Sequence, residues 1–240
     1  RPGMAAKSFQ ASRTLISTAR RNQPEQMTLV TRWMLALLTI ALYGGCAGDS
    51  VAPLVDQLRS PDVGTRRQAA RALGELGPAA VSAVDELESG VDDPDPGVRQ
   101  AACRALGEIG EVSPSTTAAL QEGLSDPQLS VRLASAFALL KLAPDDHAYV
   151  PVLTTAMEQG EGGTIVAVGR MGGAASWALP TLTGLLRDRR PGIRRIAAEA
   201  LGRIGPDAES RLALQRSAAD DPDDRVREAA RAALSSARAE

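Results

Sequence analysis

One stretch of this chain comes back, in register, again and again. Arg66-Arg67-Gln68-Ala69-Ala70-Arg71-Ala72-Leu73-Gly74-Glu75-Leu76-Gly77 returns as Arg99-Gln100-Ala101-Ala102-Cys103-Arg104-Ala105-Leu106-Gly107-Glu108-Ile109-Gly110. The same step taken again brings Arg132 with Ala138, Leu139 and Leu142 in phase. The pattern is found again at Arg194, with Ala200 through Gly205, and at Arg227, with Ala233-Leu234. The interval from Arg132 to Arg194 is two periods less four. The unit between them aligns Ala167–Gly172 with Ala105–Gly110, and its preceding loop is cut to Gln159-Gly160-Glu161-Gly162-Gly163. Six units therefore span residues 51–240. A fixed period of this length is the mark of a repeat architecture, in which each unit buries its apolar face on its neighbours.

Each unit reads as two helices. Val98, Ala102, Ala105, Leu106 and Ile109 fall on one face of a 3.6-residue helix. The first helices are marked by Leu54 and Leu58, Val84 and Leu87, Leu120 and Leu124, Val152 and Leu153, Leu182 with Leu185 and Leu186, and Leu212 with Leu214. Gly77-Pro78 and Gly205-Pro206 stop two second helices, because glycine accepts the left-handed end position and proline cannot continue the helix. Asp93-Pro94, Asp126-Pro127 and Asp221-Pro222 form turns between helices, with the proline placed to open the second helix. Aromatic residues make up only 2% of the chain, so thin layers joined through Ala and Leu are expected rather than a thick core. Strong strand formers never alternate for long, which excludes an all-β fold. The expectation is an all-α fold, an α-solenoid of about six helix pairs.

The combination Leu-x-x-Leu, Asp-Pro, then Val-Arg-x-x-Ala-x-x-Ala-Leu-Gly-x-Ile-Gly resembles the HEAT-like repeat of the phycobilisome-lyase type. Its best copies are Asp93-Pro94 with Val98-Arg99 through Gly110, and Asp188 with Ile193-Arg194 through Gly205. The resemblance implies a polar ladder along the stack, built from Asp93 with Arg99, Asp126 with Arg132, Asp188 with Arg194 and Asp221 with Arg227. Ser60 holds the Asp place in the first unit, and the fourth unit lacks the Arg. Each of these arginines follows its Asp by six positions. It either satisfies turn oxygens with its planar fork or offers that fork to a ligand.

The front of the chain reads differently. Trp33–Tyr43 is an uncharged run of eleven residues, preceded by Arg32 and followed by Gly44-Gly45-Cys46. Spanning a membrane takes about 20 apolar residues, whereas an export signal takes roughly 7–15 with a basic start and small residues before the cut. The end resembles a bacterial lipobox, with Cys46 as the lipid-attachment residue; the family's usual Leu is replaced by Tyr43. The expected organisation is a disordered extension over 1–26, a signal peptide over 27–45, a short tether over 46–50 and the repeat solenoid over 51–240. Ala47 after the cysteine implies an outer-membrane, periplasm-facing location.

Charge and residue inventory narrow the function. The whole chain carries a formal charge of -2, but residues 1–45 hold six of the 27 basic groups and one of the 29 acidic ones. The remainder is acidic, which argues against nucleic acid. His147 is the single histidine and Cys46 and Cys103 are the two cysteines, too few for a protein zinc site of the usual kind. HEAT-like deoxyhypusine hydroxylases need His-Glu pairs, and this sequence has none. The glycines at 160–163 and 169–173 follow no strand, as a dinucleotide loop would require. Cys103 reads as a small, partly buried thiol and His147 as a surface residue.

The outer face of the second helices carries three columns: Arg67, Gln100, Leu133, Arg195 and Glu228; Arg71, Arg104, Phe137, Glu199 and Ala232; and Gly74, Gly107, Leu140, Gly202 and Ser235. The third unit thus puts Leu133, Phe137 and Leu140 where its neighbours put polar or tiny residues. That stripe is either a protein-binding site or filler for space left by the short fourth unit. The expected function is a protein-binding scaffold or adaptor at the bacterial cell envelope. It would have no catalysis and no cofactor, with another protein as partner and a lipid as anchor. The alternative is an enzyme or accessory subunit of the HEAT-like lyase type.

Overall fold

The computed structural model describes residues 47–236; the extension, the signal-like run and Cys46 lie outside the described residues. Among the described residues, 51–236 form one compact unit. Twelve α-helices follow one another among the described residues as six pairs: α1 (Ala47–Leu58) with α2 (Val63–Leu76), α3 (Val84–Gly90) with α4 (Pro96–Ile109), α5 (Pro114–Gly123) with α6 (Leu129–Leu142), α7 (Val150–Glu158) with α8 (Gly162–Gly169), α9 (Leu179–Leu185) with α10 (Pro191–Ile204), and α11 (Ala208–Asp220) with α12 (Asp224–Ser236). Short 3₁₀ turns at Gly77–Ala83 and Gly172–Ala178 lead into α3 and α9. Among the described residues there is no strand, and no helix is long and apolar enough to cross a membrane. The molecule is the expected all-α solenoid.

Local chemistry sets the helix ends. Asp95 has extended backbone angles and accepts hydrogen bonds from the N–H groups of Gly97 and Val98, capping α4. Such a cap is worth about 1 kcal/mol. The helix-opening proline of α4 is Pro96, which corrects the expectation that Pro94 would serve; Pro94, Pro127 and Pro222 all stay in the turns. Gly77, Gly110 and Gly205 end α2, α4 and α10 with positive φ.

The stack is held by a repeated close approach. A Cβ built on Gly107 would lie 2.9 Å from Ala138 Cα; on Gly169, 2.9 Å from Ala200 Cα; on Gly202, 2.8 Å from Ala233 Cα. Gly74 meets Ala105 in the same way at 3.1 Å. The glycine column therefore lies between second helices, not on the exposed face expected for it. The first helices of adjacent pairs meet more sparsely than the second helices do. A stack spaced more tightly in one layer curves toward that layer, so the second helices line the inner face. Fully buried leucines, among them Leu73, Leu87, Leu106, Leu139, Leu182 and Leu201, fill the space between layers. Each contributes about 1.5–3 kcal/mol by leaving water.

The series breaks once. α2, α4, α6 and α10 have 14 residues each, but α8 has eight. Leu140 holds the place of Gly74, Gly107, Gly169 and Gly202. The close packing seen between α4 and α6 is not repeated between α6 and α8. Tyr149, 1% exposed, packs edge-on against Trp177 at 6.0 Å and donates its hydroxyl proton to Pro144 O at 2.8 Å.

Candidate functional site

Two sets of arginines leave the second helices, and they do different things. Arg66 donates from Nε and Nη2 to the two carboxylate oxygens of Asp93 at 2.7 and 3.0 Å, and from Nη1 to Ser60 O at 2.9 Å. Arg99 repeats this with Asp126 at 2.7 and 3.1 Å, and Arg194 with Asp221 at 2.7 and 2.9 Å. Each carboxylate belongs to the next unit. The Asp six positions before each arginine supplies its carbonyl instead: Asp93 O to Arg99, Asp126 O to Arg132, Asp188 O to Arg194 and Asp221 O to Arg227. The same aspartates close their own turns, accepting from the N–H two positions on; Ser60 does this in the first unit. One guanidinium thus ties a turn to its helix and to the neighbouring unit.

The electrostatics follow the geometry. The Arg99 fork holds the Asp126 carboxyl below the usual carboxylate range, and the Arg194 fork does the same for Asp221. Burial pushes Asp93 upward, but the Arg66 fork and the Asp95 N–H outweigh it and the net shift is down. Arg132 has only the Asp126 and Pro127 carbonyls, because the fourth unit offers no carboxylate at the matching place. Asp188 turns to Arg190, whose Nε and Nη2 lie 2.9 and 2.8 Å from its oxygens, and its pKa falls to about 2.

The inner face offers a different chemistry. A cavity of about 450 Å³ lies between α2 and α4, edged by Arg71, Glu75, Gln100 and Arg104. A second of about 390 Å³ lies between α4 and α6, with Arg104, Gly107, Leu133, Ala134 and Phe137 among its walls. Gln100, Arg104 and Glu108 border both, so the two adjoin along α4. Lys141 Nζ crosses from α6 to Glu108 at 2.7 Å on the rim. Arg67 is held by Asp95 at 2.9 Å and lies over Gly97, where a Cβ would fall 2.5 Å from its Nε.

Leu133 and Phe137 are half-buried; they rest on the core and present the remainder to the second cavity. Leu140 is only 8% exposed and belongs to the core. Arg71 and Arg104 sat in the columns read from the sequence without a role. Their signal was recurrence at one place in successive units. Cys103 is fully buried rather than partly so; Ser135 donates to its sulfur at 3.2 Å, and burial raises its pKa to about 11. His147 is exposed, with Nδ1 3.2 Å from Pro144 O. Among the described residues no group of three or more His, Cys, Asp or Glu side chains is arranged to hold a metal ion.

The pattern of HEAT repeats matches residues 51–141 and 162–235, and the chain belongs to that family. The unmatched interval covers the break between α6 and α8. The CpcE–CpcF complex of phycocyanin lyase from Nostoc sp. PCC7120 is 24% identical, with a TM-score of 0.50 over 74% of this chain and 73% of that one. YibA of Escherichia coli is 20% identical, with a TM-score of 0.53 over 82% and 74%. A designed armadillo repeat protein, solved in complex with the peptide (KR)4, is 18% identical, with a TM-score of 0.53 over 78% and 99%. These likenesses concern the fold. No curated protein matches the sequence significantly.

Proposed function

We propose that this chain is a binding scaffold that holds a segment of another protein in the inner groove of α2, α4 and α6, with no catalysis of its own. The observation that carries this reading is the pair of adjoining cavities, about 450 and 390 Å³, one edged by guanidinium and carboxylate and the other walled by Leu133, Ala134 and Phe137. Their floor is closely packed, because Gly74 and Gly107 bring the backbones of successive helices together. A preformed surface lowers the ordering cost of binding. The designed armadillo protein solved with (KR)4 is an instance of a related stack in complex with a peptide.

The scaffold is tethered at the bacterial cell envelope through a lipid on Cys46 and faces the periplasm from the outer membrane. Supporting this are the uncharged run Trp33–Tyr43 after Arg32, the Gly44-Gly45-Cys46 ending and Ala47 behind it. Each buried CH₂ of an acyl chain adds about 0.8 kcal/mol of membrane affinity.

Crosslinking in native membranes tests the groove. The wild type should give a defined crosslinked species that Arg104→Glu loses without a change in melting temperature; an unchanged species would refute the reading. A palmitate analogue should label the wild type and not Cys46→Ser, and equal labelling would refute the anchor.

A further inference from the structure

Among the arginines on the second helices of the first three units, four are committed: Arg66, Arg99 and Arg132 to the turns and Arg67 to Asp95. Arg71 and Arg104 are exposed, make no hydrogen bond or ion pair with any described residue, and edge the first cavity together. Arg104 also borders the second cavity, beside Phe137. Of the two carboxylates on these walls, Glu108 is taken by Lys141, and Glu75 alone is uncommitted among the described residues. The first cavity thus presents two free guanidiniums against one free carboxylate, and the apolar seat begins where the second guanidinium stands.

Resting on the groove reading above, we infer that the occupant is an acidic segment with an apolar anchor. One carboxylate of the segment meets Arg104 next to the anchor, and the anchor, aromatic or branched aliphatic, enters between Gly107 and Phe137. A second carboxylate meets Arg71. Neighbouring helices pack about 8–10 Å apart. An extended chain advances about 3.3 Å per residue. The two carboxylates are therefore about three residues apart. Guanidinium and carboxylate match as planar forks, which favours acid over any neutral residue at these positions. At physiological salt the Debye length is about 8 Å, so the segment meets mainly the charges of this wall, where Arg71 and Arg104 outnumber the uncommitted Glu75.

The test is fluorescence polarisation with the purified full chain and three labelled peptides. The first is Glu-Ala-Ala-Glu-Ala-Phe, read in both orders; the second carries Lys for Glu; the third carries Ser for Phe. The acidic–apolar peptide should bind about tenfold or more tighter than either control, and its affinity should fall several-fold between about 50 and 200 mM salt. Arg104→Glu should reverse the preference toward the lysine peptide. Arg216→Glu, the same charge change on exposed α11, should leave it unchanged. Lysine-peptide binding that equals or exceeds the acidic one, and that Phe137→Ala still abolishes, overturns the acidic assignment and leaves the groove reading standing. Equal losses in Arg104→Glu and Arg216→Glu also overturn the assignment. Absence of binding by every peptide at millimolar concentration overturns both.

Discussion

Arg99 and Arg132 hold the same place in successive units, yet replacing each by alanine should have different consequences. Arg99 makes two bonds to Asp126, at 2.7 and 3.1 Å, and two to the carbonyls of Asp93 and Pro94, at 2.9 and 3.1 Å. The pair is 15% and 9% exposed. Without Arg99 the Asp126 carboxylate keeps only the Gln128 N–H at 2.7 Å. Removing one partner of a buried pair costs about 3–5 kcal/mol, and the residual exposure places Arg99→Ala near about 3 kcal/mol. Arg132 has the carbonyl bonds alone, so Arg132→Ala should cost about 1–1.5 kcal/mol. Urea unfolding followed by circular dichroism measures both. With a slope of about 2–3 kcal/mol per molar, Arg99→Ala should lower the midpoint by roughly 1 M and Arg132→Ala by roughly half a molar. Arg99→Lys keeps the charge but not the fork and should recover less than half of the loss. A stack responds mainly through nearest neighbours, so amide exchange should quicken first around the turn at Asp126. Equal costs for the two alanine variants would refute the reasoning, because the tie between units would then not be what the arginine supplies.

Acid should loosen the stack over a defined interval. The carboxyls of Asp93, Asp126, Asp188 and Asp221 are held below their ordinary value, so their contribution is present above about pH 4 and is lost as pH falls toward the Asp188 value of about 2. A dichroism titration should show the loss in that interval, and an unmoved curve for Arg190→Ala would count against Asp188. In a Cys46→Ser background, Cys103 should resist an aromatic disulfide reagent in the folded protein and react after denaturation, because burial suppresses its thiolate; rapid native reaction would contradict this. Gly163→Ala meets no atom within 4 Å and should stabilise α8 by about 0.5–1 kcal/mol, whereas Gly107→Ala, 2.9 Å from Ala138 Cα, should destabilise by about 1–2 kcal/mol; thermal melts decide the sign.

The period and the helical faces were legible because stacking repeats the same demand in every unit: Leu73 and Leu106 fill the same layer in successive units. The ladder was legible in its residues but not in its wiring. Spacing within a unit pairs Arg99 with Asp93, and only the stacking distance carries its fork to Asp126, 27 residues on. The glycine column was misplaced for a related reason. A tiny residue on a helix looks like exposed surface until the neighbouring backbone is seen to need the room, as Ala138 does beside Gly107. Leu133 and Phe137 stood out by size, but size alone could not say that Leu140 turns inward while the other two keep a face on the cavity.

The irregular fourth unit interrupts the close packing of the second helices next to α6. Leu140 in the glycine column denies α8 the close approach that Gly107 gives α6, and the eight residues of α8 are too few to cover α6 as α6 covers α4. Glu161 stands where Arg66, Arg99 and Arg194 stand in other units, so Asp188 has no fork reaching it from behind. Arg190 supplies the substitute: it holds Asp188 and donates from Nη1 to Gln159 O at 3.3 Å, passing over Gly160. Any side chain at Gly160 would collide with that guanidinium, and its φ of 81° already favours glycine. All three aromatic residues between positions 51 and 236, Phe137, Tyr149 and Trp177, flank the same break. Tyr149 and Trp177 fill the layer that regular helix packing leaves thin, and Phe137 keeps part of its ring for the cavity. The apolar wall of Leu133, Ala134 and Phe137 thus stands on the last helix before the break, with the uncommitted Arg104 of α4 across the cavity from it.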